Sequence, residues 1–333
     1  MKDNDNELTR RTFVLAAIGA TAAAASPGYT YGAPSMENNR STGLSVSLAQ
    51  WSLHRAFQGG SRDPLDFARI ARREFDIGGI EYVNQFYFDT LNDKLVADLR
   101  ARAEDEDVQS LLIMCDREGN LGDPDSNARS TTVANHHRWA DAARALGCHS
   151  IRVNAASAGP PDEQARLVAD GLNQLAEYCS ALDLNVLVEN HGGLSSNGKW
   201  LADVMRKTSH PRVGTLPDFG NFVIDAETGE RYDNYLGVEE LMPFARAVSA
   251  KSYDFNLQGN ETCIDYFRML RIVADAGYSG WIGIEWEGDR IGEVEGIRQT
   301  QALLHRAIAA LDGHASAAPG PTYAKAADEG DER

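Results

Sequence analysis

Positive charge, cysteine and long apolar runs are all in short supply in this chain. Lys and Arg number 32 against 49 Asp and Glu, for a formal net charge of −17, and no run of basic residues is longer than a pair. A nucleic-acid binder needs a basic face to neutralise phosphates, so DNA and RNA are excluded as partners. A multi-zinc phosphodiesterase acting on damaged DNA fails on that count and also for want of inward histidines. The four cysteines, Cys115, Cys148, Cys179 and Cys263, are scattered with no C-x-x-C, which argues against a zinc ribbon or disulfide framework and for buried thiols. There is no G-x-S-x-G elbow, no Walker loop and no G-x-G-x-x-G turn after the first strand-like run, which removes the chemistries those loops serve.

What the chain does have starts at its N-terminus. The stretch ELTRRTFVLAAIGATAAAAS pairs Arg10 and Arg11 ahead of a weakly apolar Ala/Gly segment and small residues near Ala23–Ala25. The segment is too short and too mildly apolar to span a membrane, and it resembles a twin-arginine export signal. Residues 1–26 are accordingly read as that signal and 27–43 as a flexible linker. The twin-arginine export machinery is then the expected partner, and a periplasmic or otherwise exported location the expected destination. Residues 313–333, rich in Ala, Pro and acids, read as a disordered tail.

Between these ends, short apolar runs alternate with longer amphipathic ones. Strand-like runs fall at 44–50, 79–83, 108–116, 150–154, 185–190, 212–218, 247–251 and 281–286, and helix candidates near 64–75, 89–104, 131–146, 161–182, 198–208, 238–244, 262–276 and 293–312. Leu167, Leu172, Leu175 and Leu182 have helical period; Pro64 and Pro161 suit helix starts, and Gly147 and Gly277 helix ends. Eight strand–helix pairs predict a single (β/α)8 TIM barrel over 44–312.

In a barrel, alternate side chains of a strand face inward, and the strand C-termini form the active face. Parity puts Leu187, Glu189 and His191 on one face, Leu216 and Asp218 on another, and Gly283, Glu285 and Glu287 on a third. Ser249 and Lys251 share a face, as do Arg152 and Asn154. Three carboxylates converging on one mouth repel each other and are costly to desolvate, and a divalent cation offsets that cost. Oxygen ligands with at most one imidazole suit Mn, Mg, Zn or Co. His54 and Trp51 follow the first strand, where they would meet a ligand, and Glu81 and Asp116 are further acids on the second and third strands.

The segments VLVENHGG, TLPDFGNF, AVSAKSYDF and GIEWEG resemble those of the xylose-isomerase-like TIM barrels, the superfamily of sugar phosphate isomerases and epimerases, inosose dehydratases and endonuclease-IV-type enzymes. In that family a Glu, an Asp, a His and a second Glu hold one divalent metal. The resemblance carries the first, second and fourth of these onto Glu189, Asp218 and Glu285. The family's His-x-Lys pattern is here Ser249-Ala250-Lys251, so His191 or water is expected to replace the lost imidazole, and Asn221 stands where many relatives have a substrate-contacting His. The resemblance implies a metal-assisted isomerase or epimerase of a sugar or keto-sugar that works through an enediolate, with Glu189 and Glu285 as acid/base pair and Lys251 polarising a substrate oxygen. His54, Arg152, Asn154, Asn221 and Trp51 are the expected sugar contacts. A dehydratase or lyase acting on a 3-keto-glycoside or inosose-like substrate, and a non-catalytic sugar-binding barrel, are the alternatives.

Overall fold

A computed structural model describes residues 42–313. The expected export signal over 1–26, nearly all of the linker and nearly all of the acidic tail lie outside the described residues. Ten strands occur among the described residues: β1 (Leu44–Ala49), β2 (Gly79–Val83), β3 (Gln109–Met114), β4 (Ser150–Asn154), β5 (Asn185–Glu189), β6 (Val213–Leu216), β7 (Val223–Asp225), β8 (Glu230–Arg231), β9 (Val248–Ser252) and β10 (Gly280–Trp286). Eight of them form one parallel sheet in the order β6-β5-β4-β3-β2-β1-β10-β9. Its two edges meet through isolated parallel bridges, Thr215 with Ala245 and Asp218 with Ser249. There Ser249 N–H donates to the Pro217 carbonyl at 2.9 Å, and Phe219 N–H to that of Ser249 at 3.1 Å. The result is the expected (β/α)8 TIM barrel.

The helices are α1 (His54–Gln58), α2 (Phe67–Phe75), α3 (Asp93–Asp105), α4 (Ser126–Leu146), α5 (Pro161–Ala181), α6 (Gly198–Lys207), α7 (Asn234–Leu241), α8 (Tyr266–Asp275) and α9 (Glu293–Leu311). Their starts follow capping chemistry more closely than apolar period. Asp125 accepts from the Asn127 and Ala128 amides, so α4 begins five residues before the expected 131; Asp265 likewise starts α8 late, and Asp233 starts α7 early. At the other end of α4, Gly147 takes φ 81°, the left-handed conformation that stops a helix.

Outward-facing strand residues, among them Leu48, Ile80, Ile113, Ile151, Val153, Val186, Val188, Val248, Ile282 and Ile284, are buried against this helical layer, each contributing about 1.5–3 kcal/mol on burial. Three cysteines, Cys115, Cys148 and Cys179, are buried free thiols as expected, whereas Cys263 is free and exposed. The antiparallel hairpin of β7 and β8 was not foreseen. Strands of three and two residues are too short to show a period of two. No helix among the described residues is long and apolar enough to cross a membrane.

Candidate functional site

Inside the barrel the sequence alternation produces two unlike layers. Ala49, Val83, Leu112, Met114, Leu187, Leu216 and Ala247 form a separate buried apolar cluster. Two residues beyond Leu187 and Leu216 on their chains come Glu189 and Asp218, and on β10 the same inward parity delivers Glu285. Oxygens of these three carboxylates lie within 4.8 Å of one another, and all three residues are buried. The convergence expected from strand parity is therefore present at the C-terminal rim.

Two buried cations answer the charge. Lys251, fully buried, places Nζ 2.9 Å from Glu285 Oε1 and 3.3 Å from Glu287 Oε2. Arg152, 3% exposed, pairs with Glu189 and, at 2.7 Å, with Asp116 Oδ1. Burial would raise the Glu285 carboxyl, but Lys251, then Arg152 and Ser249, pull it below its ordinary value. Burial lowers the Lys251 and Arg152 cations, and the carboxylates around each more than reverse that. Asp116 behaves as Glu285 does: burial works against its charge and Arg152 holds it low.

Asp218 is the exception. Burial pushes it up to about 8 in spite of Lys251, with Glu189 and Glu285 adding to the rise. The Ser249 hydroxyl explains how the cluster tolerates this. Its Oγ lies 2.7 Å from Asp218 Oδ2 and 2.9 Å from Glu285 Oε2, yet it carries one proton. It donates to one of the two carboxylates at a time, and a proton held by Asp218 would complete the other contact.

Further contacts fix these carboxylates in place. Asn221 Nδ2 donates to Glu189 Oε1 at 2.9 Å. Asp218 Oδ1 accepts from the Gly220 and Asn221 amides, each at 2.8 Å. Asn190, which parity turns away from the barrel axis, clamps the β5 and β6 ends together. Its Nδ2 donates to the Asp218 and Asn221 carbonyls and its Oδ1 accepts from the Asp218 amide. Sequence reasoning passed over Asn190 because its contacts are to main chain, which no spacing announces.

The donor set fits a hard divalent cation. Two buried cations, Lys251 and Arg152, serve five carboxylates, Asp116, Glu189, Asp218, Glu285 and Glu287, so the rim keeps an acidic surplus. A positive ion beside Asp218 would offset the burial and the neighbouring carboxylates that raise its pKa. All the near donors are oxygens, which suits Mg or Mn better than Zn. His191, expected as a ligand, is instead exposed and lies outside the three-residue group. β5 ends at Glu189, so strand alternation no longer aims the side chain two residues on.

The other expected residues divide. Asn154 donates to Asp116 at 2.8 Å and belongs to the Arg152 network. Trp51 stacks on His54 with centroids 4.7 Å apart and donates to Glu287 at 2.6 Å, which ties both rings to the rim next to Lys251. Glu81 is buried on β2, 2.7 Å from the Ser47 hydroxyl, with its second oxygen unpaired. Asn221 and His191 line a cavity of about 770 Å3 beside the cluster, together with Ser196, Arg231, Asn234 and Tyr253. Arg231 carries no sequence signal, since it reaches the mouth only through the hairpin.

A barrel with acids gathered at its C-terminal rim defines a class, and comparison with known families agrees. The chain matches the xylose isomerase-like TIM barrel family over residues 67–307 and belongs to it. Among solved structures it is similar in fold to a D-tagatose 3-epimerase-like protein, with TM-score 0.61 and 14% identity over 81% of this chain and 98% of that one. It is also similar to a 3-keto-D-glucoside 4-epimerase from E. coli, with TM-score 0.58 and 13% identity over 79% and 98%. A xylose isomerase-like TIM barrel protein from Mycobacterium smegmatis, solved in complex with magnesium, gives TM-score 0.60 and 15% identity over 80% and 97%. Curated relatives match only in part. The C-glycoside deglycosidase alpha subunit of Arthrobacter globiformis is 35% identical over 75 residues, 21% of either chain. The 3'-dehydrocarminate deglycosidase alpha subunit of a Microbacterium species is 31% identical over 80 residues, 24% of this chain and 23% of that one. The chain thus matches about a fifth to a quarter of the length of these relatives.

Proposed function

We propose that this protein is a metal-assisted isomerase or epimerase of a keto-sugar or 3-keto-glycoside, working through an enediolate. The observation that carries the reading is the buried trio Glu189, Asp218 and Glu285, whose oxygens lie within 4.8 Å of one another, with Lys251 and Arg152 locked against it. Those three carboxylates would hold a divalent cation, and the cation would supply Lewis acidity toward a substrate carbonyl. Glu285, kept ionised by Lys251, is suited to take the proton next to that carbonyl, and Glu189 to return one. Lys251 would polarise a substrate oxygen. Asn221 and Arg152 hold the Glu189 carboxylate in one orientation. One acid used twice isomerises; two acids on opposite faces epimerise.

The partial likeness to two deglycosidase alpha subunits favours a second reading on the same site. Proton removal next to the carbonyl would be followed by loss of a β-substituent, which makes the enzyme a lyase. The paired arginines Arg10 and Arg11 support export, so we place the substrate outside the cytoplasm.

Deuterium exchange tests the reading. Metal-loaded protein incubated in D2O with keto-sugars and methyl 3-keto-glucosides is expected to incorporate deuterium beside the carbonyl, and Glu189→Gln to reduce the rate about 10³-fold with loss of bound metal. Binding of the sugar without exchange, unaffected by removing the metal, would instead identify a sugar-binding barrel.

A further inference from the structure

The cavity beside the acid trio has walls unlike the rest of the molecule. It measures about 770 Å3, and the residues lining it include no Asp or Glu, although the chain has 49 of them. Its polar wall includes Arg231, His191, Asn221, Asn234 and Tyr253. Arg231 sits on β8 directly across the hairpin from Val223, and both line the cavity. Arg231 is exposed, and its guanidinium has no hydrogen-bond or ion-pair partner among the described residues. Most arginines of the barrel are engaged; Arg152, Arg212 and Arg290, for example, each hold a carboxylate. Asn221 joins the two regions, because it lines this cavity while donating to Glu189. The trio itself does not line this space, and Gly220 and Asn221, which follow Asp218 on the chain, bring its wall up to the carboxylates.

We propose that the cavity is a subsite for a carboxylate carried by the substrate, recognised by Arg231, with His191 lining the same space. This rests on the function proposed above and narrows its substrate class. The guanidinium offers paired N–H groups that match the two oxygens of a carboxylate. The net charge of −17 is spread over the whole chain and salt screens its distant part beyond about 8 Å, while the cavity lining itself provides a cation and no acid. The carboxylate belongs either to the sugar ring, as in a uronate, or to the aglycone.

Three ligands separate these sources and test the proposal: methyl 3-keto-glucoside, methyl 3-keto-glucuronide and 4-carboxyphenyl 3-keto-glucoside. Calorimetry on metal-loaded protein is expected to show one of the two acids binding about tenfold tighter than the neutral glucoside, the scale of one exposed charge-assisted hydrogen bond. Arg231→Gln should erase that advantage and leave the neutral ligand within about twofold, while Arg231→Lys keeps part of it. Equal binding of all three ligands, an equal loss for acid and neutral ligand in Arg231→Gln, or binding of none of them overturns the subsite. Deuterium exchange on the same samples reads the other proposal separately. An Arg231-dependent acid preference without exchange leaves the subsite standing and removes the isomerase, whereas exchange with no acid preference does the reverse.

Discussion

Two walls of one barrel treat a buried carboxylate in opposite ways. On β10, Glu285 is 4% exposed and is kept charged by Lys251 and Arg152. On β2, Glu81 is 2% exposed, its carboxylate hydrogen-bonds the Ser47 hydroxyl at 2.7 Å, and it has no cation against it among the described residues. Burial pushes it up to about 8, and Glu285 and Glu189 add to the rise. Its carboxyl lies on Gly283 of β10, where any Cβ would run into it. The difference shows that burial alone does not make a working acid. The carboxylate with a cation beside it is held below its ordinary value, and the one without is pushed above it.

Removing the cation from the first wall breaks the contrast most severely. Lys251→Met leaves Glu285 buried and unpaired, which should cost about 3–5 kcal/mol of stability in metal-free protein and abolish turnover. Urea denaturation is expected to show a divalent cation restoring more stability to the variant than to the parent, because the ion takes over the missing charge.

The second wall responds to pH. The Glu81 carboxyl rises from its ordinary 4.5 to about 8 on folding, so the folded state holds a proton that the unfolded state releases. Its stabilising contribution is complete below about 4.5, declines as pH rises and is gone above about 8, at up to about 1.4 kcal/mol per pH unit. Glu81→Gln, which stays neutral throughout, should lose less stability between pH 5 and pH 9 than the parent. Parallel pH profiles would show that Glu81 is already ionised in the folded protein.

The smallest change sharpens the comparison at the trio itself. Ser249→His restores a nitrogen donor between Asp218 and Glu285, and should move metal preference toward zinc by about tenfold, or 1.4 kcal/mol. Metal titrations of both proteins with zinc and magnesium check this without reference to turnover.

Much of this arrangement was legible in the sequence. Strand parity put Glu189, Asp218, Glu285, Lys251 and Arg152 on inward faces, and the family resemblance singled out Glu189, Asp218 and Glu285 among the acids there. Parity failed at His191, two residues past the end of β5, whereas Asp218, equally far past the end of β6, is kept in line by its bridge to Ser249. Contacts made to main chain, such as those of Asn190, and residues delivered by a two-residue strand, such as Arg231, leave no periodic trace. Helix boundaries likewise depended on single capping aspartates, which outweighed the apolar period.

One architectural detail ties the rim to the way the sheet closes. The cylinder is stitched shut between β6 and β9 by only two isolated bridges, and the upper stitch joins Asp218 to Ser249. Ser249 at that stitch also bonds both Asp218 and Glu285 through its hydroxyl, so the closure of the barrel and two of the rim carboxylates share one residue.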